Sequence, residues 1–115
     1  MTGEPARIPV VLLDGELDTV RAPALRRELM EAADNRDAGL VIDLTQATYL
    51  DSAGVNVLFE LAEGLGARQV EVAVVVPEGG LVERVVTIVD LGSVVRIHRT
   101  SDEAVAEIRE IAGGS

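Results

Sequence analysis

The chain has 115 residues, a length that sets a single domain as the expectation. Its formal net charge is −10 and every one of its cations is an arginine, so a nucleic-acid duplex or an anionic membrane surface would repel it. The absence of cysteine excludes disulfides, thiol catalysis and zinc–thiolate sites, and it fits a cytoplasmic protein. No apolar run approaches the ~18 residues of a membrane span and no secretory signal pattern opens the chain, so membrane insertion is not expected. With 48% hydrophobic residues and only Tyr49 and Phe59 aromatic, the core is expected to be aliphatic.

In chain order, Met1 to Arg7 is short and polar and is expected to fray. Ile8 to Leu13 reads as a strand, confined by Pro9 to a strand start or an edge. Asp14-Gly15-Glu16-Leu17-Asp18 continues that strand or turns out of it. Thr19 to Arg21 leads into a helix with Pro23 in its first turn. Leu25, Leu29 and Ala32 or Ala33 form its apolar face, and Asn35-Arg36-Asp37 and Gly39 end it. Leu40 to Leu44 reads as a buried strand. Val55, Leu58, Phe59, Ala62 and Leu65 then recur at helical spacing, closing near Gly64-Leu65-Gly66. Either Asp51 or Ser52 is the expected N-cap of that helix.

Val70 to Val76 is apolar at nearly every position and reads as a strand buried on both faces. Pro77-Glu78-Gly79-Gly80 breaks it. Leu81, Val82, Val85, Val86 and Val89 follow helical spacing although valine favours strands, and the spacing predicts a helix. Leu91-Gly92 ends it, and Val94 to His98 forms a fourth strand. Thr100 and Glu103 make a capping box for a last helix with Val105, Ile108 and Ile111 or Ala112 inward. Residues 113–115 form a loose tail. Strands alternating with helices imply crossover units. The expected fold class is therefore α/β: one domain over residues 1–115, with its core at about 8–112, a mainly parallel sheet of four to five strands and about four helices.

Several chemistries can be weighed on these residues. His98 is the sole histidine, set in an apolar strand, and reads as structural. A Ser52–His98 triad lacks support, because Leu50 stands where a nucleophile elbow needs glycine. Gly79-Gly80 has the place of a phosphate loop but none of its motif, and reads as a turn. Asp14, Glu16 and Asp18 alternate, which would set three carboxylates on one side of a strand. The leucines between them suggest a solvated acidic face instead. No catalytic residue, metal or cofactor is expected. Asp51 has the place of a receiver-type phosphoacceptor, but the chain lacks the lysine such a site needs. A hydroxyl at Ser52 would sit at the positive end of a helix dipole, where a phosphate is tolerated by the dipole and by free N–H groups. The alternative is that Ser52 merely caps the helix.

Two segments carry a family likeness. One is Gly15-Glu16-Leu17-Asp18-Thr19 followed by Ala22-Pro23-Ala24-Leu25. The other is Val41-Ile42-Asp43-Leu44 through Leu50-Asp51-Ser52-Ala53-Gly54-Val55. In this order and spacing the chain resembles the STAS domain, shared by bacterial anti-sigma factor antagonists and the tails of sulfate transporters, over roughly Val10 to Ile111. The resemblance implies partner switching. The antagonist binds an anti-sigma factor of the serine-kinase type and so frees a sigma factor. Phosphorylation by that kinase switches it off, and a phosphoserine phosphatase restores it. Carried over by position, Ser52 is the phosphoacceptor, and Asp18, Asp51, Ser52, Ala53 and Gly54 belong to the partner-binding surface. Ala53 departs from the family, which usually has Ser or Thr there. The family's additional first strand is expected here only as a stub within Met1 to Ile8, leaving an edge that invites pairing with a second chain, so a monomer or weak dimer is expected. The alternative within the family is a fixed structural module, for instance of a transporter or signalling complex, in which Ser52 is only a cap.

Overall fold

A computed structural model describes residues 7–34 and 36–113. The elements follow in the order β1 (Val10–Leu17), α1 (Ala22–Ala32), β2 (Gly39–Leu50), α2 (Ser52–Gly66), β3 (Glu71–Val75), α3 (Gly80–Ile88), β4 (Arg96–His98) and α4 (Ser101–Gly113), with a 3₁₀ turn at Leu91–Ser93. All three strand pairings are parallel and the sheet order is β1-β2-β3-β4, which bears out the expected α/β class. Of the expected stub within Met1 to Ile8, residues 1–6 lie outside the described residues, and Arg7 and Ile8 precede β1 without forming a strand.

One face of the sheet carries the larger core. Leu13, Leu17, Leu40, Ile42 and Leu44 from β1 and β2 meet Leu25 and Leu29 of α1, Val55, Leu58 and Leu61 of α2, and Val82 and Val86 of α3. The other face carries a smaller cluster in which Val41, Ala73 and Val75 meet Ala104 and Ile108 of α4. Gly39 makes the second contact close. A Cβ there would lie 2.7 Å from the Glu71 carbonyl oxygen and 2.8 Å from Ile108 Cγ2. Ser101 donates to Asp43 Oδ2 at 2.9 Å, tying the start of α4 to β2.

Several boundaries differ from the sequence reading. The central strand runs on past Leu44 to Leu50, because Ala47 and Leu50 turn inward and the Asp14–Leu17 part of β1 pairs with it. Two register shifts accommodate that pairing, one of them at Gly15, whose φ of +72° costs glycine little. The fourth strand is shorter than expected. Val94 is 52% exposed and Val95 leaves the ladder because the chain closes a 3₁₀ turn just before. In α4 the inward residues are Ala104 and Ile108 with Val105 half-buried, whereas Ile111 and Ala112 face solvent, past the sheet. Thr100 Oγ1 does accept from Glu103 N–H at 3.1 Å, one half of the expected capping box. The valine-rich segment is helical as its spacing predicts, with Val82 and Val86 buried.

Candidate functional site

Adjacent parallel strands end side by side, and whatever follows them shares one end of the sheet. Leu17 at the end of β1 pairs with Leu50 at the end of β2, so Asp18 and Asp51 are the first residues beyond the ladder. The Asp51 N–H still donates to the Leu17 carbonyl at 3.3 Å. From Asp18 the chain turns into α1, and from Asp51 it turns straight into α2.

The α2 start is built by Asp51. Its backbone is extended and its Oδ1 accepts from the N–H of Ala53 at 2.9 Å and of Gly54 at 3.2 Å. Two of the free first-turn donors are thereby occupied. Of the two capping candidates it is therefore Asp51, one residue earlier, that caps, and Ser52 is the exposed first residue of the helix. Asp51 already holds the N–H groups of Ala53 and Gly54, so fewer first-turn donors are open to a phosphate on Ser52 than the sequence alone suggests.

Gly54 is buried against β1. A Cβ there would stand 2.5 Å from the Leu17 carbonyl oxygen and 2.8 Å from Leu50 Cδ1. Only glycine lets the first turn of α2 press so close, and that contact holds Ser52 beside the β1 end. Ala53 is half-buried and packs on the main core, where a methyl group suits the space.

Asp18 shapes the neighbouring turn. Its carbonyl accepts from Arg21 at 3.1 Å and Ala22 at 2.9 Å, and its Oδ1 accepts from Arg21 N–H at 3.1 Å. The Arg21 side chain folds back along β1 to the Asp14 carbonyl and lies 3.8 Å from Asp14 Oδ1. Thr19 and Val20 are left at the tip of the turn, and Val20 is 88% exposed. The sequence reading treats Val20 only as the lead-in to α1. The signal present was an apolar residue inside a four-residue polar turn.

The remaining candidates separate from this end. His98 lies on β4 with β3 between it and β2, and its Nε2 is 2.6 Å from Glu107 Oε1, so it anchors α4 and does not approach Ser52. At Gly79-Gly80 the Glu83 carboxylate accepts from Gly79 N–H at 2.7 Å and pairs with Arg99, so the chain fills this helix start itself. Those two contacts hold the Glu83 carboxyl below its ordinary value. Asp14, Glu16 and Asp18 are divided by the Gly15 irregularity and by the separate engagements of Asp14 and Asp18. Among the described residues no group of His, Cys, Asp and Glu is arranged to hold a metal ion, and no helix is long and apolar enough to cross a membrane.

This geometry can be set beside known proteins. The anti-sigma-F factor antagonist RsfB of Mycobacterium tuberculosis is 28% identical over 102 residues, 89% of this chain and 82% of that protein. The crystal structure of an anti-sigma factor antagonist from Mycobacterium paratuberculosis superposes with a TM-score of 0.78 at 31% identity, covering 87% of this chain and 84% of that one. A sulfate transporter family protein from Wolinella succinogenes superposes with a TM-score of 0.76 at 13% identity, covering 92% and 88%, a likeness of fold alone. The family model of the STAS domain matches residues 2–104, and with the sheet order, the Asp51-capped helix and these relatives it leads to one conclusion: the chain belongs to the STAS domain family.

Proposed function

We propose that this protein is an anti-sigma factor antagonist, a cytoplasmic binding module and not a catalyst. It docks on an anti-sigma factor of the serine-kinase type through the Asp18–Asp51–Ser52 end of the sheet, and it is switched off by phosphorylation of Ser52. One observation carries the reading: the cap of α2 is Asp51, so the exposed Ser52 hydroxyl is left over for a second molecule. The names of the relatives point the same way, since both mycobacterial proteins are called anti-sigma factor antagonists.

The physics of the switch follows from the occupied cap. A phosphate on Ser52 adds about −1.5 to −2 charges. With Ala53 and Gly54 N–H held by Asp51, the new group stands outside the helix end, in the field of the Asp18 and Asp51 carboxylates. It alters bulk and charge where a partner would sit and leaves the core untouched. Ala53 and Gly54 serve the surface from beneath, by placing the helix start. A phosphoserine phosphatase would restore the binding form.

The test is to mix purified protein with an anti-sigma kinase and ATP, read the intact mass, and measure binding of each form. One phosphate on Ser52 and loss of binding on its addition are expected. Ser52→Ala should bind without accepting phosphate, and Ser52→Glu should bind poorly. Equal binding by the unmodified and phosphorylated forms refutes the reading.

A further inference from the structure

At the same end of the sheet as Ser52 stands a feature that the switch itself does not use. Val20 occupies the tip of the Asp18–Arg21 turn and is 88% exposed. An isolated apolar side chain on a surface is ordinary. Ile88, 75% exposed at the far end of α3, is such a case. Val20 differs in how it is held and in what surrounds it. The turn is closed at both of its donors by Asp18, and Arg21 is drawn back to Asp14, so the valine is presented on a rigid support. Being β-branched, it has little rotamer freedom to lose on burial. Exposed Glu16 and half-buried Asp18 flank it along the chain, and half-buried Asp51 lies across the Leu17–Leu50 pair. Those three carboxylates share with Val20 the end of the sheet where β1 and β2 finish, and the nearest cation, Arg21, is drawn back to Asp14.

We infer that Val20 is the apolar anchor of the docking surface, seated in an apolar pocket of the anti-sigma factor whose rim carries Arg or Lys side chains facing Glu16, Asp18 and Asp51. The inference rests on the proposed antagonist function and names the chemistry of its partner. It assigns separate duties to neighbouring residues. The knob holds the complex together once formed, because its burial is lost on dissociation. The carboxylates speed encounter, because opposed charges steer association and salt screens them. Ser52 reports the switch.

Binding kinetics on immobilised anti-sigma factor separate these duties. Val20→Thr keeps the shape and branching and changes one methyl to a hydroxyl; Val20→Ala removes the knob. Either should raise the dissociation rate and Kd by about tenfold or more, with little effect on the association rate. Glu16→Gln and added salt should slow association and leave dissociation nearly unchanged. Ile88→Thr should alter neither. Both Val20 variants should melt with the wild type, since the side chain is in solvent. If Val20→Thr dissociates as slowly as wild type while phosphorylation of Ser52 still abolishes binding, the anchor is overturned and the antagonist reading stands. If unmodified wild-type protein binds no anti-sigma factor at all, both are overturned together.

Discussion

At the residue scale, Asp51 and Gly54 stabilise the start of α2 by different means. Asp51 supplies a carboxylate oxygen to two backbone donors, so Asp51→Ala should cost about 1 kcal/mol, while Asp51→Asn keeps an acceptor and should cost a few tenths. Gly54 supplies an absence. A methyl group at 2.5 Å from the Leu17 carbonyl has no flexible neighbour to push aside, so Gly54→Ala should destabilise by about 1–3 kcal/mol. Urea unfolding midpoints measure both. The two residues also mark where reading the chain ran out. Asp and Ser are equally good caps, and they stand next to each other, so apolar spacing that resolves a helix face does not resolve its first residue. Geometry decides it, because Asp51 is extended and its oxygen reaches two N–H groups. Likewise Gly54 reads as part of a motif, and the close approach of β1 that requires it is visible only in three dimensions.

Elements raise a different question, namely what fixes helices that packing alone does not hold. The first turn of α3 is closed by Glu83 on Gly79 N–H and tied by Arg99. Because the folded Glu83 carboxyl is held below its ordinary 4.5, the contribution is fully present above that value and fades as pH falls through the lower folded one. Glu83→Gln should therefore weaken the protein at neutral pH and lessen the loss of stability on acidification. Melting curves between about pH 3 and about pH 7 would show it. On the other face, Gly39→Ala should loosen α4 by driving a methyl group against Ile108 and the Glu71 carbonyl. Faster amide exchange in α4 would report it. The helical spacing of Val82 and Val86 outweighs the strand preference of valine, and so α3 was legible. The length of β2 was not. Thr45 to Tyr49 lacks a continuous apolar run, and only the pairing with a kinked β1 makes it strand. The shortness of β4 was hidden for the converse reason, an apolar Val94 that faces solvent.

For the molecule as a whole, the alternation of strands and helices was enough to indicate a parallel sheet, and two short segments were enough to suggest the family. What the alternation leaves open is the distribution of helices, three on one face and α4 alone on the other. That division depends on which side chains of β2 and β3 are small enough to admit Ala104 and Ile108. It also leaves the acidic character of the molecule undivided. The net charge of −10 is a property of the entire surface, whereas the proposed docking end is acidic because Asp18 and Asp51 follow paired strands. Phosphorylation should accordingly leave the denaturation midpoint close to that of the unmodified protein while abolishing co-elution with an anti-sigma factor on gel filtration.

The capping of α2 by the residue ahead of Ser52 has a practical corollary. On the proposed function, folding and signalling rest on different side chains, so position 52 is a free dial. A saturation library there should express uniformly and melt together, with proline tolerated at this first helical position. Its members should nonetheless span the full range of partner occupancy, from permanently engaged to permanently released. A cell-based reporter of sigma-factor output would then rank twenty side chains by their compatibility with a neighbour, uncontaminated by differences in abundance.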